Sequence, residues 1–207
     1  MQGSIVDPTQ VELNHHAGGA IANSHEAHPD HRIFGLIVFL VAESMIFLGL
    51  FAAYLTFRAV YPEWPPVGTP ERELLLPGVN TLILIGSSFV IHNAESAIKQ
   101  NNVKGLRLWF GVTALMGIIF LAGQLYEYSH LEFGLKTNLY ASTFYVLTGF
   151  HGLHVLLGVG LILAVLGRSL QQNHYSDEHH FGVEAAEIYW HFVDVVWIVL
   201  FILLYLI

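Results

Sequence analysis

The C-terminal stretch VEAAEIYWHFVDVVWIVLFILLYLI (Val183–Ile207) decides the architecture. From Val195 onward it holds no charged residue, and the whole run is long enough to cross the ~30 Å hydrocarbon core of a bilayer as a helix. Its first half carries Glu184, Glu187, His191 and Asp194. At 100° per residue these four fall within an arc of about 80°, so one helix face is ionisable and the rest apolar.

Four further segments of the same kind precede it: Ile33–Phe57, Leu74–Ile98, Leu106–Tyr126 and Ala141–Leu166. The first is followed by Tyr61, Trp64 and the prolines Pro62, Pro65 and Pro66, an aromatic interface and a stop. Lys104 and Arg107 bracket the third segment on one side and Glu127 and Tyr128 on the other. A lipid-exposed backbone must satisfy its own hydrogen bonds, and a barrel would show alternating segments of about ten residues. The expectation is an all-α, integral membrane bundle of five transmembrane helices over residues 33–207. Residues 1–32, with His15, His16, His25, His28 and His31 among scattered acids, read as a polar, disordered tail. The tail lacks the basic start and apolar middle of a cleaved signal peptide, so the first span is expected to stay in the mature protein.

Composition agrees: of 207 residues 54% are hydrophobic and 12% charged, with mean hydropathy +0.55. Soluble domains carry about 25% charged residues. The net charge of −8 leaves no basic surface to track phosphates and excludes nucleic acid as a partner, and the lack of Cys excludes disulfides and thiolate metal sites. With the N-terminus inside, Arg32, Lys99, Lys104, Arg107 and Arg168 lie on the inner side against Arg58, Arg72 and Lys136 outside. The excess of inner basic residues predicts N-terminus inside, C-terminus outside.

Polar groups inside the spans demand an account. Glu43 lies about 15 Å along its helix, where an ionised carboxylate costs at least ~2.5–3.5 kcal/mol. Phe39, Phe47 and Tyr54 project within about 40° of it and should form an aromatic wall. In the fourth span Thr148, His151, His154 and Gly158 share one face and Gly149, Gly152 and Gly160 another, the second suited to close helix packing. The histidines need acceptors, and the acids of the fifth span are expected to supply them in an interhelical network of His151, Glu184, Glu187, His191 and Asp194. On spacing alone three uses stay open: a structural polar network, a metal centre, or proton or ion conduction. The Glu-x-x-His pattern of di-iron bundles is missing.

The segments YASTFYVLTGFHGLHVLLG (Tyr140–Gly158) and HHFGVEAAEIYWHFVDVVWIVLFILLYLI (His179–Ile207) closely resemble subunit III of haem-copper cytochrome c oxidase. AESMIFLGLFAAYLTFR (Ala42–Arg58) is similar to that family's carboxylate-bearing helix, and GQLYEYSHL (Gly123–Leu131) to the end of its next-but-one helix. The resemblance spans about Ile33–Ile207 and points to the short, five-helix bacterial form. It implies an accessory subunit of a proton-translocating oxidase in a bacterial or other respiratory membrane, with no catalytic residue and no metal in this chain. Haem and copper would sit in partner subunits I and II, and cytochrome c would dock elsewhere in the complex. By similarity Glu43, His154 and Arg168 lie beside bound phospholipid, and the subunit supports proton uptake into subunit I and preserves its catalytic centre. His174, His179 and His180 in the inner loop could exchange protons near neutral pH.

Two other readings compete. Subunit III of a haem-copper quinol oxidase has similar segments, but there the position matching Glu43 is commonly Asp. A stand-alone membrane di-metal oxidase would need His151, His154, Glu187 and His191 as one ligand set.

Overall fold

The computed structural model describes residues 31–67, 69, 74–171, 174–177 and 179–207. The expected N-terminal tail, apart from His31 and Arg32, lies outside them, as does Arg72. Five helices cross the length expected of membrane spans: α1 (His31–Val60), α2 (Leu75–Lys99), α3 (Val103–His130), α4 (Leu139–Ser169) and α5 (Phe181–Phe201), the last running into a π-helical turn at Ile202–Leu206. Among the described residues there is no strand. α1, α3 and α4 overrun their apolar segments at both ends. α3 continues past Tyr126 through Glu127, and α1 begins at His31, so neither polar stretch marks a helix end.

Local chemistry fixes the ends. Prolines 62, 65 and 66 follow α1, where they cannot continue its ladder. Between α2 and α3 the chain reverses in three residues: Asn101 takes a left-handed φ of 56°, and the Asn102 carboxamide oxygen accepts from the Gly105 N–H at 2.9 Å. Asn138 caps α4 in the same way, accepting from the Ala141 N–H at 2.7 Å.

α5 sits at the centre, packed on α2 and α4, while α1 leans on α5 from outside and buries little of itself. Two indoles lock the centre. Trp190 donates to Ser87 Oγ at 2.8 Å and Trp197 to Thr81 Oγ1 at 2.9 Å, so both large rings bury fully without an unpaired N–H. Room for Trp190 comes from glycine: a Cβ at Gly117 would lie 2.6 Å from its ring, and one at Gly158 2.9 Å. Close packing thus uses Gly158, on the histidine face of α4. The expected glycine face does not provide it: a Cβ at Gly149, Gly152 or Gly160 would meet nothing closer than 3.9 Å.

Contacts sort the basic residues by end. Arg32 lies over the Phe181 ring at 5.8 Å, the Asp177 N–H donates to Asn101 Oδ1 at 3.0 Å, and Arg107 donates to the Ser169 hydroxyl at 3.3 Å and to its carbonyl. The starts of α1, α3 and α5 therefore share one end of the bundle with the ends of α2 and α4. At the opposite end Tyr54 donates to the Leu203 carbonyl at 2.9 Å, a buried bond where α5 widens into the π-turn.

Candidate functional site: two intramembrane polar contacts

Glu43 and His154 meet across α1 and α4, with Oε2 and Nε2 3.1 Å apart. His154 Nδ1 lies 2.8 Å from the Phe150 carbonyl, an acceptor, so that nitrogen carries a proton. In a neutral imidazole Nε2 is then a bare lone pair. The contact with a carboxylate oxygen is a hydrogen bond when one further proton lies between them, held by the acid or the ring. Phe47 stands edge-on to the imidazole at 4.8 Å and Phe150 is tilted against it at 4.9 Å, so the histidine is buried among aromatic rings. Of the expected aromatic wall, Phe47 faces the pair, Phe39 stacks on Tyr189 at 6.5 Å, and Tyr54 is engaged at the far end of α1.

Beside this pair an apolar groove of about 680 Å³ runs between α1, α4 and α5. Leu36, Phe39, Leu157 and Leu161 line it, and at one end stand Arg168, in the last turn of α4, and Tyr175. A Cβ at Gly160 would project into open space there. Burial pushes the Tyr175 phenol up from its ordinary pKa of 10, and the neighbouring Arg168 opposes that shift.

The second polar site lies on the seam between α2 and α5. Glu187 Oε1 is 3.1 Å from His92 Nδ1 and 3.5 Å from His191 Nε2. His191 Nδ1 is 3.2 Å from Ser88 Oγ, which donates to Asp194 Oδ2. Toward the helix end His92 Nδ1 is 3.7 Å from Glu95 Oε2, while Glu95 Oε1 holds Lys99 Nζ at 2.8 Å. A connected row of polar groups therefore runs from Lys99 at the end of α2 to Asp194, nearly buried at mid-helix.

This arrangement corrects the expected network between the fourth and fifth spans. His154 turns to Glu43 of α1. His151 is fully buried, stacked on Trp197 at 4.9 Å, and neither of its nitrogens has a hydrogen-bond partner among the described residues. Glu187, His191 and Asp194 face α2, and Glu184 pairs with His180 of its own chain segment at 3.3 Å. The di-metal set of His151, His154, Glu187 and His191 is accordingly not assembled. His174 packs on the Tyr175 ring and His179 is exposed, so of the three loop histidines His180 has a carboxylate partner.

Sequence reasoning missed two things. It gave no role to His92 and Glu95 at the end of the second span, although Ser88, His92, Glu95 and Lys99 follow helical spacing and a seam of acids needed a facing partner. It also read Glu127 as a boundary. In the structure Glu127 is buried, accepting from Tyr205 at 2.9 Å and from the Gln124 carboxamide at 3.2 Å.

Comparison with known proteins gives a consistent answer. The profile of the family described as cytochrome c oxidase subunit III matches residues 17–207. A Synechocystis protein named cytochrome c oxidase subunit 3 is 65% identical over 211 residues, covering 100% of this chain and 91% of the relative. The Thermostichus vulcanus protein of the same name is 58% identical over 187 residues, covering 90% and 92%. The African elephant protein (Loxodonta africana), also so named, is 40% identical over 178 residues, covering 83% of this chain and 68% of its own length.

Proposed function

This chain belongs to the cytochrome c oxidase subunit III family, and from that premise we propose that it is the accessory third subunit of a proton-translocating cytochrome c oxidase. In this reading oxygen is reduced in subunits I and II, which hold the haem and copper, and cytochrome c docks elsewhere in the complex. The names of the relatives favour the cytochrome c branch over a quinol oxidase. The N-terminus lies inside, because the bundle end shared by Arg32, Lys99, Lys104, Arg107 and Arg168 carries most of the basic residues.

What the chain itself supplies is a lipid seat beside the partner's proton entrance. The observation that carries this is the apolar groove with a guanidinium at its inner end: Leu36, Phe39, Leu157 and Leu161 suit an acyl chain, and Arg168 suits an anionic phosphate. The Glu43–His154 pair flanks the groove and stays protein-bonded, so it steadies α1 against α4 rather than holding the headgroup. Filling the groove tests the reading. Gly160→Trp and Arg168→Ala complexes should carry at least one phospholipid fewer per oxidase in native mass spectrometry and lose activity faster during turnover. Unchanged lipid counts in both variants would refute the seat.

A further inference from the structure

The seam between α2 and α5 gathers three carboxylates at one place. Glu95, Glu184 and Glu187 surround one cavity of about 340 Å³ together with His92 and His191. Lys99 takes one oxygen of Glu95, leaving the other turned to His92, and Glu184 pairs with His180. Carboxylates at membrane depth require a cation, a proton or a strong donor.

The orientation of the donors says which kind of cation fits. His92 Nδ1, Glu95 and Glu187 present ligand atoms that all lie within 4.8 Å of one another. Zinc bonds nitrogen and oxygen at about 2.0–2.1 Å, so neighbouring ligands of a tetrahedral ion stand about 3.3 Å apart. Here His92 Nδ1–Glu187 Oε1 is 3.1 Å, His191 Nε2–Glu187 Oε1 is 3.5 Å and His92 Nδ1–Glu95 Oε2 is 3.7 Å. The two His92 separations bracket the tetrahedral edge before any side chain moves, and His191, which approaches Glu187 alone, stands outside the three-residue cluster as the nearest further donor.

Outer partners hold the ligands in place. Ser88 donates to Asp194, which leaves its oxygen to accept from His191 Nδ1–H and turns the Nε2 lone pair of His191 toward Glu187. A histidine whose far nitrogen is fixed by a hydroxyl and a carboxylate behind it is the usual support of a metal ligand. Entry is open, because the His92 side chain is 64% exposed. Zn²⁺ with Glu95 and Glu187 forms a neutral unit, which lowers the cost of the seam in the bilayer.

We propose that His92, Glu95 and Glu187 form a binding site for a divalent d-block cation, with Zn²⁺ the best match, between α2 and α5, and that His191 turns in from behind Glu187 to complete it. The site is independent of the lipid groove and has no redox role, since Zn²⁺ has one accessible oxidation state.

The test uses the assembled oxidase. Complexes are stripped with a chelator, dialysed against micromolar Zn²⁺ and analysed for bound zinc, and the ion is located by anomalous scattering at the zinc edge. Wild type should hold one zinc per complex more than His92→Gln and Glu187→Gln complexes, with affinity falling at least tenfold in each, and the extra peak should lie between α2 and α5. His92 is exposed, so His92→Gln assembles even if Glu187→Gln does not and decides the question alone. Glu43→Gln, in the other polar pair, should keep the extra ion. Equal zinc in wild type and His92→Gln, or a peak at other residues, would overturn the proposal.

Discussion

The two intramembrane polar sites differ in how they meet the cost of burial. Glu43 and His154 form an isolated pair, one acid with one imidazole, ringed by Phe47 and Phe150. The α2–α5 seam instead strings Lys99, Glu95, His92, Glu187, His191, Ser88 and Asp194 into a row in which most members serve two neighbours. A pair can be satisfied by one shared proton. A row with acids gathered at one end and a nearly buried carboxylate at the other depends on every link, and its loss at one point strands the next group.

The contrast can be broken most sharply at Ser88. Ser88→Val deletes the hydrogen bond to Asp194, whose other oxygen has no partner among the described residues. A bond to a charged group of this kind is worth about 1.5–3 kcal/mol. Thermal unfolding of the purified complex in detergent should show a loss at the upper end of that range, and a loss below about 1 kcal/mol would mean that the row is not a connected unit. Glu43→Ala should cost less, about 1–2 kcal/mol, because it breaks a single pair and strands one group only. Glu43→Gln should cost under about 1 kcal/mol, since the carboxamide N–H can donate to the His154 Nε2 lone pair. Similar losses for Ala and Gln would show that the pair depends on charge rather than on one donated proton.

The smallest structural effect is expected on the loop. His174 and His179 replaced together by Gln should change stability by no more than about 0.5 kcal/mol, as surface substitutions do, and adding His180→Gln should cost more, because its ring is held between Ser176 and Glu184. If these imidazoles collect protons for the partner, turnover of the assembled oxidase should still slow as pH rises from neutral. Identical turnover and proton stoichiometry across that range would remove them from the proton path.

The sequence announced the helices clearly because each long apolar segment has one physical solution in a bilayer. All five predicted spans lie within observed helices apart from their end residues at Leu74 and Ile207. Partner choice was less legible. Helical spacing placed Glu187, His191 and Asp194 on one face, yet nothing in that spacing says whether α2 or α4 lies opposite. Two contacts decide it: Trp190 and Trp197 bond to α2, and Gly158 admits the Trp190 ring from the α4 side. With the bulk of α5 seated against α4, its acids fall toward α2. His154 then finds its acceptor on α1, the helix whose lone carboxylate had seemed to need a partner of its own. His151 stacks on Trp197, and neither of its nitrogens has a hydrogen-bond partner among the described residues.

Purifying the chain from its native membrane in mild detergent, through a tag on its C-terminus, and recording the haem spectrum and co-purifying polypeptides tests the central claim most directly. The account predicts oxidase subunits I and II in equal amounts with this chain, together with their haem. Recovery of the chain free of any haem protein, under conditions where the oxidase remains active, would contradict it.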